Sequence, residues 1–204
     1  MEVLVAVVMG LGLIATARLG LFGDLDPREL LLVILACALA WGVIDAALYL
    51  LATRMHYGQL DRLGIQLRER RVPEADRSSL VAGVFGTWLD DAGPADRVRP
   101  AYDALADALA VESRARRLAR EDLLAAAAIV GWVLVASALL AAPLALPWPP
   151  QAAYVAATAI GTVELFAAGC LWARNSPYHP VRFGLALAVL GVAMIALIVA
   201  LGAA

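Results

Sequence analysis

The chain contains no lysine at all, only two cysteines, Cys37 and Cys170, and only two histidines among its 204 residues. Every one of the 16 basic side chains is therefore arginine. The missing chemistry is as informative. There is no CxxC pair, no His-x3-His, no glycine-rich phosphate loop and no serine-centred nucleophile elbow, so the usual metal, nucleotide and acyl-transfer signatures are absent. An enzyme is not expected, and no cofactor is implied. A net charge of -2 lacks the basic surface that a nucleic-acid partner requires.

What is present instead is apolar length. Hydrophobic residues make up 63% of the sequence, against about 45 to 50% in an ordinary soluble domain. The expectation is an all-α membrane protein. A bilayer crossing needs ~20 predominantly apolar residues, and five stretches meet that need, at 3–22, 29–54, 122–142, 151–173 and 181–202. The first competes with a signal peptide, because Ala15-Thr16-Ala17 has the small-x-small form of a cleavage site. Glu2 stands where a signal peptide carries positive charge, which argues for a retained span. Asp26-Pro27-Arg28-Glu29 predicts the start of the second, with Asp26 as N-cap, Pro27 at the first helical position and Glu29 completing a capping box. Pro143 to Gln151 is a short proline-rich link carrying Trp148 as an interfacial anchor.

Between the second and third spans the composition changes. Residues 53–122 hold 12 arginines and 12 acids, and their apolar residues fall at helical spacing: Leu60, Leu63, Leu67; then Leu80, Val81, Val84, Phe85, Trp88, Leu89; then Tyr102, Leu105, Leu109. Pro73, Gly93-Pro94 and Pro100 predict breaks. The spacing predicts a small subdomain of about three amphipathic helices, the first continuing the second span. The domains are thus 1–54, 55–121 and 122–204. Arginine lies mostly on one side, with Arg174 and Arg182 joining the insertion and only Arg18 and Arg28 opposite. By the positive-inside rule the insertion and the N-terminus are cytoplasmic and the C-terminus is exterior. The Arg114 to Arg120 run serves that orientation and contacts lipid headgroups, and Asp90-Asp91 is a solvated helix end.

The candidate site follows from two acids inside spans, which are costly there and by default functional. Asp45 shares a helix face with Ala38 and Gly42, and Glu164 shares one with Ala157, Gly161 and Ala168. Small residues let helices approach closely, so both carboxyls are expected to face protein. With the spans centred near Trp41 and Thr162, the two acids fall within about 3 Å of the same depth. That places them in one ion- or proton-binding site, with Trp41, Gly42, Tyr49 and Gly161 in support. The competing reading makes each acid a neutral structural group hydrogen-bonded to Tyr49, Thr158 or Thr162. His56 and His179, at span ends, are weaker metal-ligand candidates. The two cysteines are packing residues.

Three pieces carry a resemblance: Asp26-Pro27-Arg28-Glu29-Leu30, Ala40-Trp41-Gly42-Val43-Ile44-Asp45-Ala46-Ala47-Leu48-Tyr49-Leu50, and Gly169 to Gly191. With five spans and a cytoplasmic helical insertion, the chain resembles the vacuolar iron transporter family, in particular its outlying bacterial members. The resemblance implies a homodimer in the bacterial plasma membrane, exporting a divalent cation such as iron or manganese in exchange for protons. The family pattern carries over at Asp45. The family's first-span acid is missing, leaving only Met9 as a donor there, and its E-x-x-E pairs do not occur in residues 53–122. A second expectation, independent of transport, is a membrane scaffold or partner subunit that acts through its cytoplasmic helices. Gly184, Ala188 and Gly191, a small-residue face, add to the expectation of a dimer.

Overall fold

The computed structural model describes residues 2–23, 25–69, 73, 76–89, 95–112 and 117–202. Among these there is helix and no strand. Seven α-helices follow one another: α1 Glu2–Arg18, α2 Pro27–Arg68, α3 Arg77–Leu89, α4 Ala95–Glu112, α5 Arg120–Ala141, α6 Pro150–Ala173 and α7 Pro180–Gly202. A 3-10 turn, Ala142–Ala145, extends α5. Asp90-Asp91 and residues 114–116 of the Arg114 to Arg120 run lie outside the described residues.

Among the described residues four helices are long and apolar enough to cross a membrane: α2, α5 with its 3-10 extension, α6 and α7. The first apolar stretch gives a shorter helix than its composition suggested. α1 has 17 residues, about 25 Å of rise against a hydrocarbon core of ~30 Å. It stops because Gly20 adopts φ 70°. The Gly20 N–H bonds to the Ala17 carbonyl at 3.0 Å and the Leu21 N–H to that of Thr16 at 3.3 Å. This is a Schellman closure, which takes up the carbonyls the helix end would otherwise leave open. The start of α2 is as the sequence predicts. Asp26 Oδ1 accepts the Arg28 N–H and Glu29 Oε2 accepts the Asp26 N–H, both at 3.3 Å.

The chain divides into two compact units, 1–48 with 124–204, and 49–123. The first is built on Val7, Leu11 and Ile14 of α1, Leu30 and Ile34 of α2, Leu140 and Leu144 of the α5 region, and Ala153, Tyr154, Ala157 and Leu165 of α6. Its outward faces are apolar too: Leu32, Trp132, Val163 and Leu190 are each about two-thirds exposed. Helices that are apolar all round need an apolar surrounding as well as an apolar core. α6 and α7 are drawn together by Gly169 and Gly184. A Cβ on Gly169 would lie 2.8 Å from the Gly184 Cα, so only glycine permits this approach.

The second unit has its own core. Leu63 and Leu67 of α2, Val81 of α3, and Val98, Tyr102 and Ala106 of α4 bury one face of each helix. Opposite that face α4 exposes Arg97, Arg99, Asp103 and Asp107, the one-sided pattern of an amphipathic helix, whereas Ile65 of α2 and Val84 of α3 leave apolar side chains exposed. α2 does continue the second span into this unit, as one 42-residue helix. Pro73 lies between α2 and α3, but Pro100 does not break the chain; it sits inside α4. There it forgoes one backbone bond near the helix start, while Val98 and Tyr102 on either side are buried and hold the turn.

Candidate functional site

Helix register decides which acids can meet. A Cβ on Gly10 of α1 would lie 3.0 Å from Leu140 of α5 and 3.8 Å from Ile34 of α2, and one on Gly161 of α6 would lie 2.6 Å from Leu140 and 2.7 Å from Leu11. Gly10, Leu11, Ile34, Leu140 and Gly161 therefore mark one level. Glu164 is three residues beyond it along α6. Asp45 is eleven residues beyond it along α2. Gly42 agrees independently, since its Cβ position is 3.3 Å from the Val130 Cα and 3.5 Å from Val133. That sets Asp45 level with residues 127 to 130 of α5, and Glu164 level with residue 137. The acids are thus separated by about 10 to 15 Å along the axes, and the common depth expected from the sequence is overturned. The assumed centre was the error. Ile34 rather than Trp41 is the α2 residue that packs at the level of Gly161.

Each acid has its own surroundings. Both Glu164 oxygens and Asp45 Oδ2 are buried without a hydrogen-bond partner. The hydroxyls proposed as partners for Glu164 are engaged elsewhere. Thr158 donates to the Tyr154 carbonyl and Thr162 to that of Thr158, each at 2.8 Å within α6. A buried polar group left unbonded costs about 1 to 3 kcal/mol and a charged one more. The structural reading of Glu164 as a bonded cross-brace therefore does not describe this arrangement.

The remaining candidates do not converge. Trp41 is 37% exposed and turns outward. Gly42 and Gly161 are buried at close helix contacts, which is where small residues were expected. Tyr49 and Met9 are half-buried, and His56 and His179 are exposed, each in a different unit. Among the described residues no three His, Cys, Asp or Glu side chains come together in a way that could hold a metal ion. Both cysteines are free. Gly184 meets Phe166 and Cys170, and Gly191 meets Leu165, so the small-residue face of α7 is used for packing on α6.

Two residues were missed. Ser137 is 1% exposed and its Oγ has no partner; the available signal was its being the lone hydroxyl between Leu123 and Leu146. Asp122 is 8% exposed and fully engaged. It accepts the Ala119 N–H at 2.7 Å and the Tyr57 hydroxyl at 3.3 and 3.4 Å. An acid in the first turn of a helix was the signal there.

No protein-family model matches the chain, and no curated protein matches it either.

Proposed function

We propose that the chain is a transporter-like membrane protein that moves a cation with the help of protons taken up and released by Glu164. The observation that carries this reading is the Glu164 carboxyl, buried in an apolar span with neither oxygen bonded. An ionisable group kept there at such cost is more readily explained by exchange of a charged ligand than by stability. Asp45, two turns or more away in level, is a second way-station rather than a co-ligand. The divalent cargo, iron or manganese, rests on the resemblance to vacuolar iron transporters alone.

In this reading α1 makes a fifth crossing with its flanking turn, residues 55–121 are a cytoplasmic insertion, and the protein sits in a bacterial plasma membrane with its C-terminus outside. A homodimer would have to use faces other than Gly184 to Gly191, which α6 already covers. The test is uptake of radioactive manganese and of protons into proteoliposomes under an imposed pH gradient. Glu164→Gln is expected to abolish both fluxes while Asp45→Asn slows them. Equal flux in wild type and Glu164→Gln would refute the assignment.

A second reading draws on a different observation. The unit of residues 49–123 has a hydrophobic core of its own, as a partner-binding module needs. A scaffold acting through this unit would retain its partner when Glu164 and Asp45 are both made neutral, and would show no flux at all.

A further inference from the structure

We propose that the groove between α1, α6 and α7 holds one acyl chain of an anionic phospholipid, whose phosphate rests on Arg174 and Arg182 in the link between α6 and α7. This requires the apolar unit to lie in a bilayer and is independent of transport.

The groove supplies the first argument. It has a volume of about 410 Å³, and its lining, which includes Val5 and Val8 of α1, Leu165 and Trp172 of α6, and Leu190 and Met194 of α7, is apolar throughout. Val5, Trp172 and Leu190 are exposed, so the groove opens on the outside of the unit. From Leu165 to Trp172 it runs about 10 Å along α6, within the reach of one lipid tail. A tail lying there restores to the lining the dispersion contacts that an unfilled groove forfeits.

The Trp172 end is the second argument, because it leads to the chemistry of a headgroup. Trp172 meets Phe183 edge to face with ring centroids 6.1 Å apart, and Phe183 stacks on Tyr178 at 5.9 Å. Trp and Tyr gather at the headgroup level of a bilayer. Arg174 lies two residues beyond Trp172 and Arg182 immediately precedes Phe183, and both are exposed. Among the described residues neither guanidinium has an ion pair or a side-chain hydrogen bond, and residues 174–182 contain no acid. Basic side chains at the end of an apolar groove between spans suit an anionic lipid. A zwitterionic headgroup would set its own cation against them.

Charge also decides against a second copy of the chain as occupant. Two copies related by a two-fold axis along the membrane normal present the same surface to each other, which would bring Arg174 and Arg182 of each toward those of the other. Like charges oppose that contact. A free phosphate would satisfy the arginines and leave the groove unfilled.

Native mass spectrometry of the full-length protein in detergent tests this, with dioleoyl phosphatidylglycerol and dioleoyl phosphatidylcholine titrated in separate arms. One phosphatidylglycerol per chain is expected to be retained at concentrations where phosphatidylcholine is not. Arg174→Gln or Arg182→Gln should weaken its binding about fivefold, and the two together about thirtyfold, which brings it to the level of phosphatidylcholine. Val5→Trp and, separately, Leu190→Trp fill the groove, and each should lower retention with both arginines still in place. Inorganic phosphate should not displace the lipid. Equal retention of the two lipids, phosphatidylglycerol held as tightly by the double arginine variant as by wild type, or its displacement by inorganic phosphate would overturn the proposal. So would a lipid-free dimer that Val5→Trp or Leu190→Trp converts to monomer, since the groove would then belong to a second copy.

Discussion

Asp122 and Glu164 are both buried carboxyls on helices, yet the molecule treats them in opposite ways. Asp122 in the arginine-rich unit is 8% exposed and bonded to the Ala119 N–H and the Tyr57 hydroxyl. Glu164 in the apolar unit is bonded to nothing. The first is a joint: it caps α5 in the manner of a capping box and ties it to α2, so burial is offset by hydrogen bonds. The second is carried at a loss. A carboxyl that stabilises its surroundings and one that taxes them are distinguishable by what happens when they are removed.

The largest change in stability should come from a site neutral to this contrast, which gauges how rigid the apolar unit is. Gly184→Leu forces a side chain against Phe166 and Cys170, where a Cβ alone would come within 2.6 Å. Overpacking of this kind costs ~3 kcal/mol, and a thermal melt in detergent should show it as the greatest loss. Asp122→Ala comes next, with about 2 kcal/mol lost through the cap and the tyrosine bond together; denaturant titration measures it. Tyr57→Phe removes only the hydroxyl and should cost roughly 1 kcal/mol by the same titration. Smallest is Asp107→Asn. It breaks the 3.5 Å contact with Arg77, but Asp107 is 74% exposed and surface pairs contribute under about 1 kcal/mol. Stability and its salt dependence should barely move.

The sequence disclosed these two regions unequally. Apolar length gave the four long spans, and the Asp26 to Glu29 signature gave the start of α2 to the residue, because both depend on local chemistry. Helical spacing of Leu63, Leu67, Val81 and Tyr102 gave the core of the second unit. The end of α1 was less legible: Leu21 and Phe22 continue the apolar run, and only the positive φ of Gly20 halts the helix. Pro100 misled for the opposite reason, as buried neighbours outweigh one missing bond. The candidate site was half legible. Each acid announced itself by its cost, but their relative depth depends on which residues interlock. Hydropathy centres spans without fixing register, so Asp45 was paired with Glu164 while Ser137 passed unnoticed.

The contrast between the two carboxyls is tested most directly by the melting temperature of Glu164→Gln, measured beside Asp122→Ala in the same detergent. If Glu164 is a working group held at a cost, its neutral replacement melts at the wild-type temperature or above it, while Asp122→Ala melts lower. A fall in Glu164→Gln as large as that in Asp122→Ala would contradict the account, for it would make Glu164 a structural brace like its counterpart.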